Sequence, residues 1–287
     1  TAFSQALNFA WAKQYGGAAN VNPLNLKVNA NGSIYSTGIF FQNGVADFDP
    51  GLGTYNLIAP GYPNAFVSKL DKSGNFLWAK QFGAIDPNNM VLDANSNILL
   101  TGRFGGTTDF HPSPTGVYTM TTAGSGDIFV VKLDSSGNFL WAKRMGSTLN
   151  DQGESIAVDG LGNVYTTGFF QGTTDFNPGT GTSNLVSAGS YDLFVQKLDP
   201  NGNFLWAKRM GSSNQDYGKC IAIDPSGIVI TTGNFSGTVD FDPGGGTQSL
   251  TASGVDNMFV SKLNSAGNYV SAIAIQGSIA LPLDMVV

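Results

Sequence analysis

In the stretch IFVVKLD at 128–134, Phe129, Val131 and Leu133 fall on one face of an extended chain, and Val130 makes the other face apolar too. A few residues on, Phe139 and Trp141 oppose Leu140 and Ala142 in the same way. Side chains of a strand alternate between its two faces, so these runs predict short β-strands covered on both sides. No segment places apolar residues at helical spacing, and essentially no helix is expected.

The pattern recurs. GNFLWAK stands at 74–80, 137–143 and 202–208, with a worn copy, LNFAWAK, at 7–13. Trp11, Trp78, Trp141 and Trp206 are separated by 67, 63 and 65 residues. The pairs Thr37-Gly38, Thr101-Gly102, Thr167-Gly168 and Thr232-Gly233 are spaced by 64, 66 and 65. A further 65 residues lands on Ser271, within GNYVSAIAI, which keeps the apolar spacing and loses the ring. The chain is therefore a tandem array of one unit of about 65 residues. The units run at about 14–80, 81–143, 144–208 and 209–273, and 274–287 opens a fifth.

The third unit shows the plan. SIAVD (155–159) reads as strand A, VYTTGFF (164–170) as strand B, DLFVQKLD (192–199) as strand C and NFLWAK (203–208) as strand D. A long connection between B and C holds a short extended piece at SNLVS. The hairpins share one turn grammar, Asp-x-x-Gly-Asn, with Asp opening a type I turn and Gly where φ becomes positive. Four short antiparallel strands per unit, repeated in tandem, predict an all-β fold of β-propeller type with four complete blades. Orphan strands are expected at both ends: 8–13 as a strand D ahead of the first unit, and 281–287 as a strand A of a fifth. GNFLWAK is expected to recur because each blade presents the same bulky strand to the next, with the indoles largely buried.

The combination of GNxYTTGxFxGTxDFxPGxGT with DxFVxKLDxxGNFLWAK resembles the SBBP-type β-propeller repeats of large secreted and cell-surface bacterial proteins. The resemblance covers nearly the whole chain. It implies a propeller-like fold and a secreted or cell-surface location, and it brings no catalytic residues with it. Proteins with such repeats often carry a C-terminal sorting domain for type IX secretion; none is legible in these residues.

Composition adds bounds. Charged residues are 12% of the chain, Gly numbers 38 of 287, and the net charge is −6. A mildly acidic chain without a Lys/Arg run lacks the footprint of a nucleic-acid or anionic-membrane binder. No apolar run reaches membrane-spanning length, so neither nucleic acid nor membrane insertion is expected. Cys220 is the sole cysteine, which precludes an intrachain disulfide or a multi-cysteine metal cluster. Ser4 and Ala6 have the small-x-small spacing that a signal peptidase prefers, so the chain is read as beginning near a processed terminus.

Candidate chemistry is sparse. Asp47 and Asp49 in ADFDPG, and Asp240 and Asp242 in VDFDPG, have an Asp-x-Asp spacing that Ca²⁺ loops use. The other copies read Asp109-Phe110-His111 and Asp175-Phe176-Asn177, too few carboxylates for six to eight oxygens, and an Asx turn is the competing reading. His111 fills that same loop slot, and Cys220 aligns with Ser155 at a small-residue slot of strand A. Lys69, Lys132, Lys197 and Lys262 in strand C, with Lys13, Lys80, Lys143 and Lys208 in strand D, either cover blade edges with their stems or form a positive row for an acidic glycan. GGGT at 244–247 opens no helix and is no phosphate loop.

The sequence thus points to a non-catalytic repeat scaffold with no cofactor, no metal and no catalytic residue, whose partner is a protein or a cell-surface glycan. The alternative is a carbohydrate-binding adhesin in which Phe48, Phe110, Phe176 and Phe241 form an exposed aromatic rim. Their burial decides between the two.

Overall fold

The computed structural model describes residues 9–41, 44–59 and 63–276, and every regular element within them is a strand. The first unit holds β1 (Gly16–Gly17), β2 (Asn20–Val28), β3 (Ile34–Phe41), β4 (Val45–Asp47), β5 (Asn56–Ile58), β6 (Asn64–Leu70) and β7 (Phe76–Gln81). The second holds β8 (Ile85–Leu92), β9 (Ile98–Phe104), β10 (Thr107–Asp109), β11 (Thr119–Thr121), β12 (Asp127–Leu133) and β13 (Phe139–Met145). The third holds β14 (Gln152–Val158), β15 (Val164–Phe170), β16 (Thr173–Asp175), β17 (Asn184–Val186), β18 (Asp192–Leu198) and β19 (Phe204–Met210). The fourth holds β20 (Tyr217–Ile223), β21 (Val229–Phe235), β22 (Thr238–Asp240), β23 (Ser249–Thr251), β24 (Asn257–Leu263) and β25 (Tyr269–Ile275).

Each unit is one four-stranded antiparallel sheet in the order A-B-C-D, as in β14-β15-β18-β19, with a small hairpin such as β16-β17 inserted between B and C. The sheets are propeller blades. Two local devices build them. The turn Asp gathers its own hairpin: Asp134 Oδ1 accepts the N–H groups of Ser136 and Asn138 at 2.8 and 2.9 Å, and Asn138 Nδ2 donates to its Oδ2 at 2.8 Å. The Thr-Gly pair ties B to its neighbours. Thr167 Oγ1 donates to the Phe194 carbonyl of strand C at 2.6 Å. Beside it strand A bulges between Gly153 and Ser155, and a Cβ on Gly168 would lie 2.0 Å from the Gln152 carbonyl oxygen. Only glycine admits that approach.

The core lies between the sheets. One apolar cluster joins Tyr35, Ala65 and Val67 of the first unit to Met90, Ile98 and Phe129 of the second. A second joins Leu99, Ile128 and Val130 to Ile156, Val164 and Phe194, and a third joins Tyr165, Leu193 and Val195 to Ile221, Val229 and Phe259. The A strands β2, β8, β14 and β20 converge, and residues of all four line one cavity of ≈160 Å³. Among the described residues, seams join first to second, second to third and third to fourth unit, and none joins the fourth to the first. The ring is not closed there. Leu26 shows the consequence: it is 61% exposed, while its equivalents Met90, Ile156 and Ile221 are buried.

Residues 9–13 correct one expectation. They form no strand, because no described strand C lies beside them to complete a ladder. The C-terminal strand expected at 281–287 lies outside the described residues.

Candidate functional site

The repeated heptapeptide is both halves of a seam. Trp141 Nε1 donates to the Pro200 carbonyl in the C–D turn of the next unit at 3.2 Å, and Trp206 Nε1 does the same to Ser265 at 3.1 Å. Strand C lysines reach the same two carbonyls, Lys132 to Pro200 at 3.4 Å and Lys197 to Ser265 at 3.1 Å, and Lys69 reaches the equivalent Ser135 carbonyl at 2.9 Å. Gly202, at φ +78°, receives the ring, since a Cβ there would sit 3.2 Å from Trp141 Cδ2 and 2.7 Å from Lys143 Cε. The Gly of one copy therefore seats the Trp and Lys of the copy before it. Trp11 and Lys13 pack on Gly74 in this way even without a ladder. The indoles are largely buried, as the sequence suggested, though not fully, because one edge of strand D stays open to solvent.

These contacts settle the lysine row of strand C. Lys132 and Lys197 are buried. Lys132 Nζ lies 3.0 Å from Asp93 Oδ2, and Lys197 Nζ lies over the Tyr165 ring at 4.9 Å. Lys69, Lys132 and Lys197 act as seam bolts, and Lys262 of the fourth unit alone is exposed, so strand C forms no positive row open to an acidic glycan.

Sequence reasoning missed a second set of polar groups. Asp127 and Asp192 open strand C with fully buried side chains, and each meets an arginine of its own strand D. Arg144 Nη1 lies 2.6 Å from Asp127 Oδ2, and Arg209 Nη1 lies 2.7 Å from Asp192 Oδ2. Burial pushes both carboxyls above the usual range, against the hydrogen bonds and charges that oppose it. Where the first unit has Asn64 it has Gln81 opposite, donating at 3.2 Å, and where the fourth has Asn257 it has Ala274. The covarying pair was the available signal. Asp151 and Asp216 are likewise fully buried, and burial raises both carboxyls.

The acidic loops are turns in all four copies. Asp47 Oδ1 accepts the N–H groups of Asp49 and Tyr55 at 3.0 and 2.8 Å. Asp109 does so for His111 and Tyr118, Asp175 for Asn177 and Ser183, and Asp240 for Asp242 and Gln248. Among the described residues no group of three or more His, Cys, Asp or Glu is placed to hold a metal ion. His111 accepts the Ser113 N–H on Nδ1 at 3.2 Å and packs on Phe139. Cys220 is buried on strand A, in register with Thr232 as Ser155 is with Thr167.

Phe48, Phe110, Phe176 and Phe241 are all 0% exposed. Each packs on a phenylalanine of its own strand C, as Phe176 does on Phe194 at 4.8 Å. Rings without accessible faces stack on no sugar, so the aromatic-rim adhesin is overturned. The loops carrying them wall a row of clefts between units. One, ≈510 Å³, is bounded by Lys80 and Gln81 of the first unit and Asp109, His111 and Val117 of the second. Equivalent clefts of ≈250 and ≈460 Å³ follow at the next two seams.

The units differ in side chain at the end where strand A begins and strand B ends. Slots in register there read Asn22, Asp86, Gln152 and Tyr217 on strand A, facing Ile39, Arg103, Phe169 and Asn234 on strand B. The residue before strand C reads Pro63, Gly126, Tyr191 and Asp256. Between the third and fourth units these side chains form an aromatic group: Phe169 stands edge-on to Tyr191 at 5.0 Å and to Tyr217 at 5.1 Å, with the tyrosines 5.8 Å apart at 33°. Lys219 Nζ lies 2.7 Å from Glu154 Oε1 and 5.1 Å from the centre of the Tyr217 ring. Burial raises the Tyr217 phenol, and the neighbouring Tyr191 and Asp256 add to the effect.

Comparison with known proteins agrees with this architecture. Residues 140–168 match the family model of the SBBP beta-propeller repeat, so the chain carries that repeat. The matched segment covers most of strand D of one unit, then strand A and part of strand B of the next. An uncharacterized WD repeat-containing protein of Acanthamoeba polyphaga mimivirus is 33% identical over 220 residues, 67% of this chain and 16% of that protein. The regulatory protein FlaEY of Caulobacter vibrioides is 30% identical over 167 residues, 54% of this chain and 18% of that protein. The chain thus spans less than a fifth of the length of either relative.

Proposed function

We propose that this array of β-propeller repeats is a non-catalytic scaffold, secreted or displayed on a cell surface, that holds other proteins. The observation that carries the reading is the division of labour within the repeat. Positions that build seams and turns keep one residue type in nearly every unit, while the slots at one end differ in all four. A position serving the frame is constrained equally in each copy, and a contact surface for a partner is not. The secreted or surface location rests on the resemblance to SBBP proteins.

Two measurements test this. Protease added to intact cells should cut the array at its exposed loops; full protection of the array in intact cells would refute the location. The purified array should retain a partner saturably and return it unchanged in mass. A partner released cleaved or modified would refute the non-catalytic reading.

A further inference from the structure

The end at which the units differ carries one asymmetric patch, and its chemistry selects a partner. Tyr191 ends the B–C connection of the third unit, and Tyr217 begins strand A of the fourth. Both are partly exposed, and buried Phe169 supports them edge-on from below. No other described seam has such a group: the same slots between the second and third units hold Arg103, Gly126 and Gln152, with Arg103 bonded to the nearby Asn150 at 3.1 Å.

The charges around the rings are unequal. Asp256, Asp216 and Glu154 lie near enough to act on the Tyr217 phenol, Lys219 is paired with Glu154, and the whole chain carries −6. Lys219 also shows what the rings accept, since its ammonium lies within 5.9 Å of the Phe169 centre and 5.1 Å of the Tyr217 centre. A ring face attracts a cation through its quadrupole, and a planar guanidinium both stacks on tyrosine and forks to a carboxylate. Tyrosine and arginine are also the residue types that concentrate binding energy in protein interfaces.

We propose that the Tyr191–Tyr217 patch binds an arginine-bearing peptide segment of a partner protein, with the guanidinium stacked on the tyrosines and bonded to Asp256. The inference rests on the reading of the array as a protein-binding scaffold and names the partner's chemistry. Asp256 is suited to the task. Its Oδ1 accepts the Ser236 hydroxyl, which fixes the carboxylate beside the rings.

The test uses the whole chain and the peptide Ac-Gly-Arg-Gly-Arg-Gly-NH2, with a citrulline analogue that keeps the shape and loses the charge. NMR titration at low ionic strength should shift the amides of Phe169, Tyr191, Tyr217 and Asp256 for the arginine peptide alone. Tyr191→Ala/Tyr217→Ala and Asp256→Asn should each weaken binding at least tenfold, while Tyr191→Phe/Tyr217→Phe, which keeps the rings, should retain it. Asp256→Asn leaves the aromatic packing intact, so the result stands even if removing both rings impairs folding. Equal binding of the citrulline peptide, shifts that map elsewhere, or full affinity in Asp256→Asn would overturn the proposal. So would a neutral oligosaccharide such as cellobiose shifting these amides in place of the peptide. A native partner still retained by the double alanine variant would overturn this patch and leave the scaffold reading standing.

Discussion

Replacing Arg144 by Gln should destabilise the second unit by about 3 kcal/mol, and adding Asp127→Asn should restore most of that loss. The Asp127 carboxylate is fully buried, and its Oδ2 takes Arg144 Nη1 at 2.6 Å and the Ala123 N–H at 2.9 Å. Removing one partner of a buried pair strands the other charge, at a typical cost of ~3–5 kcal/mol. Arg144 is 37% exposed, so water reaches the pair and the low end applies. Burial already holds the Asp127 carboxyl above its unfolded value of 3.8. Loss of the guanidinium raises it further. For a raised carboxyl the favourable contribution is complete below the unfolded value and is lost as pH rises through the folded one. The Arg144→Gln deficit should therefore be largest at neutral pH and shrink toward pH 4.

The first unit supplies the control, because Asn64 and Gln81 already form the neutral pair. Urea denaturation of the wild type, both single variants and the double variant gives the coupling, expected at about 2 kcal/mol. Repeat arrays need not unfold in one step, so hydrogen exchange of the β12 and β13 amides should accompany it. A double variant as unstable as the sum of the singles, or no loss in Arg144→Gln at pH 7, would refute the reasoning.

Three further outcomes are expected. Trp141→Ala should cost about 3 kcal/mol, the low end for a core aromatic, since it removes a largely but not fully buried indole and one hydrogen bond to Pro200; faster exchange across the second–third seam checks it, and unchanged exchange there counts against the seam. Stability should peak on the acid side of neutrality and fall steeply below about pH 4. Burial raises Asp127, Asp151, Asp192 and Asp216, which favours the fold as pH drops from 7. The turn carboxylates are depressed: bonds from Asn75 lower Asp71, and at Asp134 and Asp199 burial is outweighed by bonds from Asn138 and Asn203. Stability from depressed groups is present above their unfolded value and lost as pH falls through the folded one, so a melting temperature that declines steadily from pH 7 to 5 would contradict this balance. Millimolar Ca²⁺ should leave the melting midpoint where chelator leaves it, because the acidic-loop Oδ1 atoms already accept two backbone N–H groups each; a rise of several degrees would show a bound ion.

Strand order, turn chemistry and repeat length were all legible in the sequence, because each is set within one hairpin or by recurrence. Asp134 and Asn138 are four residues apart, and the alternation of Phe129, Val130 and Val131 needs only the pleat to place it. Contacts across the seams were not legible. Trp141 meets Pro200 59 positions away, and the angle between adjacent sheets decides whether its ring is fully or only largely covered. The four loop phenylalanines illustrate the same limit: a DFxP loop can hold its ring outward or inward, and only the neighbouring Phe66, Phe129, Phe194 and Phe259 draw it into the core. Tyr191 and Tyr217 belong to different units, so no periodicity pairs them. What the tertiary structure alone decided is which side chains from separate units share a surface, since burial depends on how one sheet lies on the next, and the letters of a single strand do not encode that.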